Sequence, residues 1–131
     1  MARISIFCIS AIFLAAHIYA APMTAEDMEF YRQVFEEVDP DFVLDNERIL
    51  RAYLKCFFSE GDCNQHAAVV KESIPDVLST VCGSCSEKQK GIFKYTLNKF
   101  IPAHPKDWEK MLSIYDPKGE YWPNVKAFIE S

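Results

Sequence analysis

Four cysteines crowd into one short stretch, Cys56, Cys63, Cys82 and Cys85, separated by six, eighteen and two residues. Such a cluster means bridges, a metal or free thiols according to the compartment, and the N-terminus bears on the compartment. Arg3 supplies a positive start, residues 4–18 are mainly apolar, and Tyr19-Ala20-Ala21 offers small residues to a signal peptidase just before Pro22. Residues 1–21 are therefore predicted to be a cleaved signal peptide, and residues 22–131 a single secreted domain. The apolar stretch is short for a bilayer core, which needs about 20 residues, and His17 interrupts it. The fifth cysteine, Cys8, leaves with the signal.

In an oxidising compartment four cysteines of a small domain favour disulfides, and three pairings are possible. The local pairing, Cys56–Cys63 with Cys82–Cys85, closes only short turns and is the one expected. A bridge across the first of these loops restrains the unfolded chain by about 2–3 kcal/mol. A four-thiolate zinc site fits Cys82-x-x-Cys85 but not the six-residue gap before Cys63. A thioredoxin-like redox pair would need a strand ahead of Cys82-Gly83-Ser84-Cys85, and none is predicted. Bridges that pin single helix ends leave the helices free to separate.

The rest of the chain reads as all-α. Four glycines and apolar residues at three- and four-residue spacing leave no sustained period-2 alternation. Residues 25–38 are charged with scattered aromatics, and helices are expected at about 41–45 and 46–59. Asn64 is a plausible N-cap for a helix reaching about Val81, with a kink or broken turn at Pro75. Ser86-Glu87-Lys88-Gln89 has the form of a capping box for a helix ending near Pro102. Pro105 suits a first helical position ahead of Trp108, Met111, Leu112 and Tyr115, and Asp116-Pro117-Lys118-Gly119 ends that helix. A last stripe, Tyr121, Trp122, Val125, Phe128 and Ile129, is regular if Pro123 lies in its first turn. The expected architecture is a compact, irregular bundle of five or six short helices.

Charge excludes some partners. Removing Arg3 leaves 13 Lys and Arg against 19 Asp and Glu, a net charge of −6. A negative chain with mixed surface signs lacks the basic footprint that nucleic acid or an anionic membrane demands. No nucleophile with its base, paired acid and base, or open metal site is apparent, so no enzyme, cofactor or metal is expected. His66 and His104 lack ligand spacing and read as solvated or capping residues. Asn46, Glu47 and Arg48 read as a helix cap with surface ion pairs.

Three features occur together: Leu44-Asp45-Asn46-Glu47-Arg48-Ile49-Leu50, the cysteine spacing, and Cys85-Ser86-Glu87-Lys88-Gln89-Lys90. With Trp108 and Tyr115-Asp116-Pro117-Lys118-Gly119 they make residues 44–121 resemble the insect chemosensory proteins, the OS-D or ejaculatory bulb protein III family. The resemblance implies about six helices, bridges between neighbouring cysteines, and an internal hydrophobic channel for fatty chains, pheromone-like esters or odorants. It carries a channel-bordering role over to Tyr53, Trp108 and Tyr121. The sequence departs from the family before Leu44, where Phe and Glu are frequent, and at Pro123 in the tail.

The ligand wall expected on the inward stripes is Leu50, Tyr53, Leu54, Phe57, Val70, Ile74, Val77, Leu78, Ile92, Phe93, Leu97, Trp108, Leu112 and Tyr121. Taken singly, each position favours ordinary core over pocket, since stripe positions pack by default, and only the resemblance raises the pocket reading. The expected function is reversible carriage of small hydrophobic molecules by a secreted monomer, with a membrane receptor as a possible partner. The alternative is an extracellular signalling or developmental factor that acts through a protein receptor with its core filled by its own side chains. An exposed apolar patch would favour the second and an enclosed cavity the first.

Overall fold

The computed structural model describes residues 24–37 and 39–131, so the expected signal peptide lies outside the described residues. Among the described residues, seven α-helices and one π-helical turn follow in order: α1 Ala25–Arg32, the turn Gln33–Glu37, α2 Pro40–Leu44, α3 Glu47–Phe57, α4 Gln65–Thr80, α5 Glu87–Ala103, α6 Pro105–Tyr115 and α7 Trp122–Glu130. Among the described residues no helix is long and apolar enough to cross a membrane.

Local chemistry sets most of the boundaries. Asp39, Asn46 and Asn64 each turn a side-chain oxygen onto an amide of the helix that follows, starting α2, α3 and α4. Ser86 and Gln89 form the reciprocal capping box at the head of α5. Pro105 and Pro123 occupy first-turn positions of α6 and α7, where the missing amide is not needed. The broken turn expected at Pro75 does not occur, and α4 is continuous across it. Pro75 is exposed, as is Pro102 within α5, so water can reach the carbonyl that loses its amide partner.

Both cystines have the local pairing. Cys56–Cys63 ties the end of α3 to the loop before α4, with Cα atoms 4.9 Å apart, and Cys82–Cys85 closes the α4–α5 turn at 5.1 Å. Among the described residues no group of three or more His, Cys, Asp or Glu could hold a metal.

The core is drawn evenly from five helices. Leu50 and Leu54 of α3, Ile74 and Leu78 of α4, Leu97 and Phe100 of α5, Trp108 and Met111 of α6, and Val125 and Ile129 of α7 form one buried cluster. Within each helix the pair is spaced by three or four residues, the interval that stacks side chains on one face. The N-terminal segment stands apart: Val34 is buried at 7% exposure yet lies outside this cluster. Neither α1 nor the π-helical turn was legible as an element, because residues 25–38 carry no clean stripe.

Polar ties lock the helices laterally. Asn98 Nδ2 donates to the Ile129 carbonyl (2.8 Å), joining α5 to α7. Lys99 bridges Asp41 and Asp45 at 2.6 and 2.8 Å, and the Tyr95 hydroxyl donates to Asp41, so α2 is held on α5. The Tyr115 hydroxyl donates to the Phe57 carbonyl, linking α6 to the end of α3.

Candidate ligand-binding core

The fourteen residues expected to line a ligand site are all buried or half-buried. Six of them, Leu50, Leu54, Ile74, Leu78, Leu97 and Trp108, belong to the central cluster. Phe57, Phe93, Leu112 and Tyr121 pack against it, whereas Tyr53, Val70, Val77 and Ile92 lie outside. Phe100, Met111, Val125 and Ile129 complete the cluster; their stripe positions marked them as core but not as wall. The large exposed hydrophobics, Phe42, Tyr95 and Ile114, sit on three different helices.

The open internal channel implied by the resemblance is not seen among the described residues. Two depressions among the described residues both open at the surface. One, of about 420 Å³, is lined by Phe30, Gln33, Val34, Asn64, Gln65 and His66. The other, of about 200 Å³, is lined by Tyr115, Asp116, Pro117, Lys118, Glu120 and Tyr121. The apolar stripes meet one another in one buried cluster.

Trp108 is the chemically distinctive member of the core. It is 6% exposed, its ring meets Trp122 edge-on at 5.3 Å between centroids, and its indole Nε1 is buried with no acceptor among the described residues. A buried donor left without a partner costs about 1–3 kcal/mol. Aliphatic neighbours cannot relieve it, whereas an oxygen on a molecule lodged in the core could.

Tyr53 has found its partner within the chain. Its hydroxyl lies 2.9 Å from His66 Nδ1, and His66 Nε2 lies 3.2 Å from the Val34 carbonyl. A carbonyl can only accept, so in the neutral ring Nε2 carries the hydrogen, Nδ1 is the acceptor and Tyr53 donates. The expectation that His66 is solvated or capping is corrected here: it is half-buried and bridges α3, α4 and the π-helical turn. Its partners lie 13 and 32 residues upstream, beyond the reach of any local motif.

Around this core runs a polar frame. Arg51 grips both carboxylate oxygens of Asp107, at 3.1 and 2.6 Å, and also pairs with Glu47 at 2.9 Å. Hydrogen bonding from Arg51 holds the Asp107 carboxyl below the usual carboxylate range, against the opposing effect of burial. His104 joins this group, stacked on Phe100 with centroids 5.2 Å apart. Asn46 and Glu47 take the capping and pairing roles read from sequence. A carboxyl with a lowered folded pKa stabilises fully above its unfolded pKa, and this contribution is lost as pH falls through the folded value. Stability should thus decline below about pH 4, and Arg51→Gln should make that decline shallower in urea titrations run from pH 5 to 2.

Residues 31–123 match the insect pheromone-binding family A10/OS-D. The chain belongs to this family. The A10/OS-D match contains all fourteen wall residues and both cystines, while Val125 and Ile129 lie beyond it. One relative is a Drosophila melanogaster protein, A10, named as a candidate odorant-binding protein. It is 40% identical over 91 residues, which are 70% of this chain and 59% of the relative, so the match spans less than two thirds of that protein. Another is the ejaculatory bulb-specific protein 3 of Drosophila melanogaster, 31% identical over 109 residues, 83% of this chain and 85% of the relative. Among solved structures, a chemosensory protein in complex with bromo-dodecanol superposes with a TM-score of 0.66 at 25% identity, covering 74% of this chain and 97% of that one. The resemblance read from the cysteine spacing and the Leu44–Leu50 and Cys85–Lys90 motifs is borne out, and A10/OS-D membership accounts for the all-α fold with two local cystines.

Proposed function

We propose that this chain is a secreted carrier that reversibly binds small hydrophobic molecules, of odorant, pheromone or fatty-acid-like chemistry, between its helices. Residues 1–21 serve as the cleaved signal, and residues 22–131 act as one monomeric domain that binds rather than catalyses. The wall is formed by the fourteen residues above, with Trp108 meeting the ligand's polar head. The observation that carries this reading is the buried, unpartnered indole donor in an otherwise apolar cluster. The solved relative that holds bromo-dodecanol supports it, since that ligand joins an apolar chain to one hydroxyl.

Energetics favour a chain-like guest. Burying twelve carbons gains about 10 kcal/mol at roughly 0.8 kcal/mol per CH₂, against an association cost of at least about 4 kcal/mol. Affinity should therefore climb about fourfold per added CH₂ until the chain outgrows the core. Displacement of an apolar fluorescent probe by a homologous series of primary alcohols tests this. Graded displacement is expected, and a flat response across the series would remove the proposal.

A further inference from the structure

We propose that His66 is a latch that fastens the N-terminal segment, α1 with the π-helical turn, over the Tyr53 side of the bundle, and that its release sets the rate of ligand exchange. The rate claim rests on the carrier reading above; the latch itself does not. Three observations converge on it. Val34 is buried against the bundle but outside the central cluster, so the segment docks as a separate piece. Its carbonyl lies 3.2 Å from His66 Nε2, which reaches it from α4. The 420 Å³ depression lies at this seam, lined by Phe30, Gln33 and Val34 from one side and Asn64, Gln65 and His66 from the other.

The chemistry explains why histidine suits the position. One flat ring presents a donor and an acceptor on opposite edges, so Tyr53 of α3 and Val34 of the turn are satisfied together through one residue of α4. The ring also packs on Tyr53, with centroids 5.6 Å apart. Opening the seam breaks the His66–Val34 bond, whereas the Tyr53–His66 bond, the cystines and the five-helix cluster stay in place. A second tie, Ser86 Oγ donating to Glu36 at 3.1 Å, brings the segment back after release.

The test uses the mature chain and two readouts. Hydrogen–deuterium exchange of residues 25–37 without ligand reports the latch, and stopped-flow mixing with N-phenyl-1-naphthylamine reports exchange of a guest. His66→Phe keeps the ring but removes both bonds. It should speed exchange of the segment and raise probe association and dissociation rates roughly fivefold, the factor for one net hydrogen bond, with Kd changed less than about twofold. His66→Gln, whose amide can donate to Val34 and accept from Tyr53, should remain near the wild type. If His66→Phe does not fold, Glu36→Ala, which removes the tie from the segment to Ser86, should give a smaller rise of the same kind. Unchanged exchange in the variants overturns the latch, and faster exchange with unchanged probe rates overturns its control of uptake. Failure of the wild type to bind any probe overturns the carrier reading, while the exchange data still decide the latch.

Discussion

Replacing Asp116 by alanine is expected to lower the unfolding free energy by about 3 kcal/mol. Asp116 is 5% exposed, and its carboxylate accepts from the backbone amides of Glu120 (2.9 Å), Tyr121 (3.2 Å) and Trp122 (2.9 Å). The first amides of a helix have no partner within it, and α7 has no side-chain cap of its own. Asp116 therefore does from the end of α6 what an N-cap does locally, and its negative charge suits the positive end of the α7 dipole. The intervening Asp116-Pro117-Lys118-Gly119 turn supports the geometry, with the Gly119 amide donating to the Asp116 carbonyl at 3.0 Å and Gly119 at φ +66. Asparagine keeps one acceptor but turns an NH₂ group towards the same donors, so it should lose about half as much. A urea midpoint that shifts at constant slope reads the effect, and a change below about 0.5 kcal/mol would show that the carboxylate is not the anchor. Because α7 brings Trp122 against Trp108, the alanine variant should also weaken the near-ultraviolet tryptophan signal.

Trp108→Phe is expected to cost a long-chain alcohol about 2 kcal/mol of binding, roughly 30-fold in Kd, while a hydrocarbon of equal length loses little. On the proposed reading the alcohol oxygen accepts from indole Nε1 in the wild type, whereas with phenylalanine the alcohol would carry an unpaired hydroxyl into an apolar core. The hydrocarbon makes no such bond and feels only the smaller ring. The decisive quantity is the ratio between the two ligands, measured by titration calorimetry or probe displacement, because a packing defect would weaken both alike. Equal losses would move the head group away from Trp108.

The helix starts were legible because the residues that cap a helix lie within three positions of the amides they serve. Asn46, Asn64 and the Ser86–Gln89 pair declare themselves without tertiary knowledge. The inward stripes were legible for the same reason, since side chains three and four apart share a face. Distance in sequence hid the rest. His66 and Asp116 act on backbone that only the folded chain brings within reach, and nothing local separates a bridging histidine from a solvated one. The Asp116-Pro117-Lys118-Gly119 turn was readable as a stop, but its second role needs α7 to fold back onto α6. Of the two outcomes read for Pro75, a kink or a broken turn, the break does not occur, and Pro75 lies on an exposed face. The channel was implied by likeness rather than by pattern, and a stripe of Leu, Ile and Phe reads the same whether it lines a space or fills one.

The two aromatic donors flagged by sequence meet opposite fates, Tyr53 half-buried outside the central cluster and Trp108 within it. Tyr53 is satisfied by His66, and Trp108 is not satisfied by any described residue. The chain carries two tryptophans, so two indole N–H resonances are expected in a nitrogen-resolved proton spectrum. Titrating the protein with dodecanol while following these resonances, assigned by Trp122→Phe, puts the question to the atom concerned. The resonance of Trp108 should move downfield and saturate as its donor acquires an oxygen. A Trp108 resonance that stays fixed while the alcohol is bound, or an alcohol that does not bind at all, would contradict an oily core with one donor waiting for a polar head.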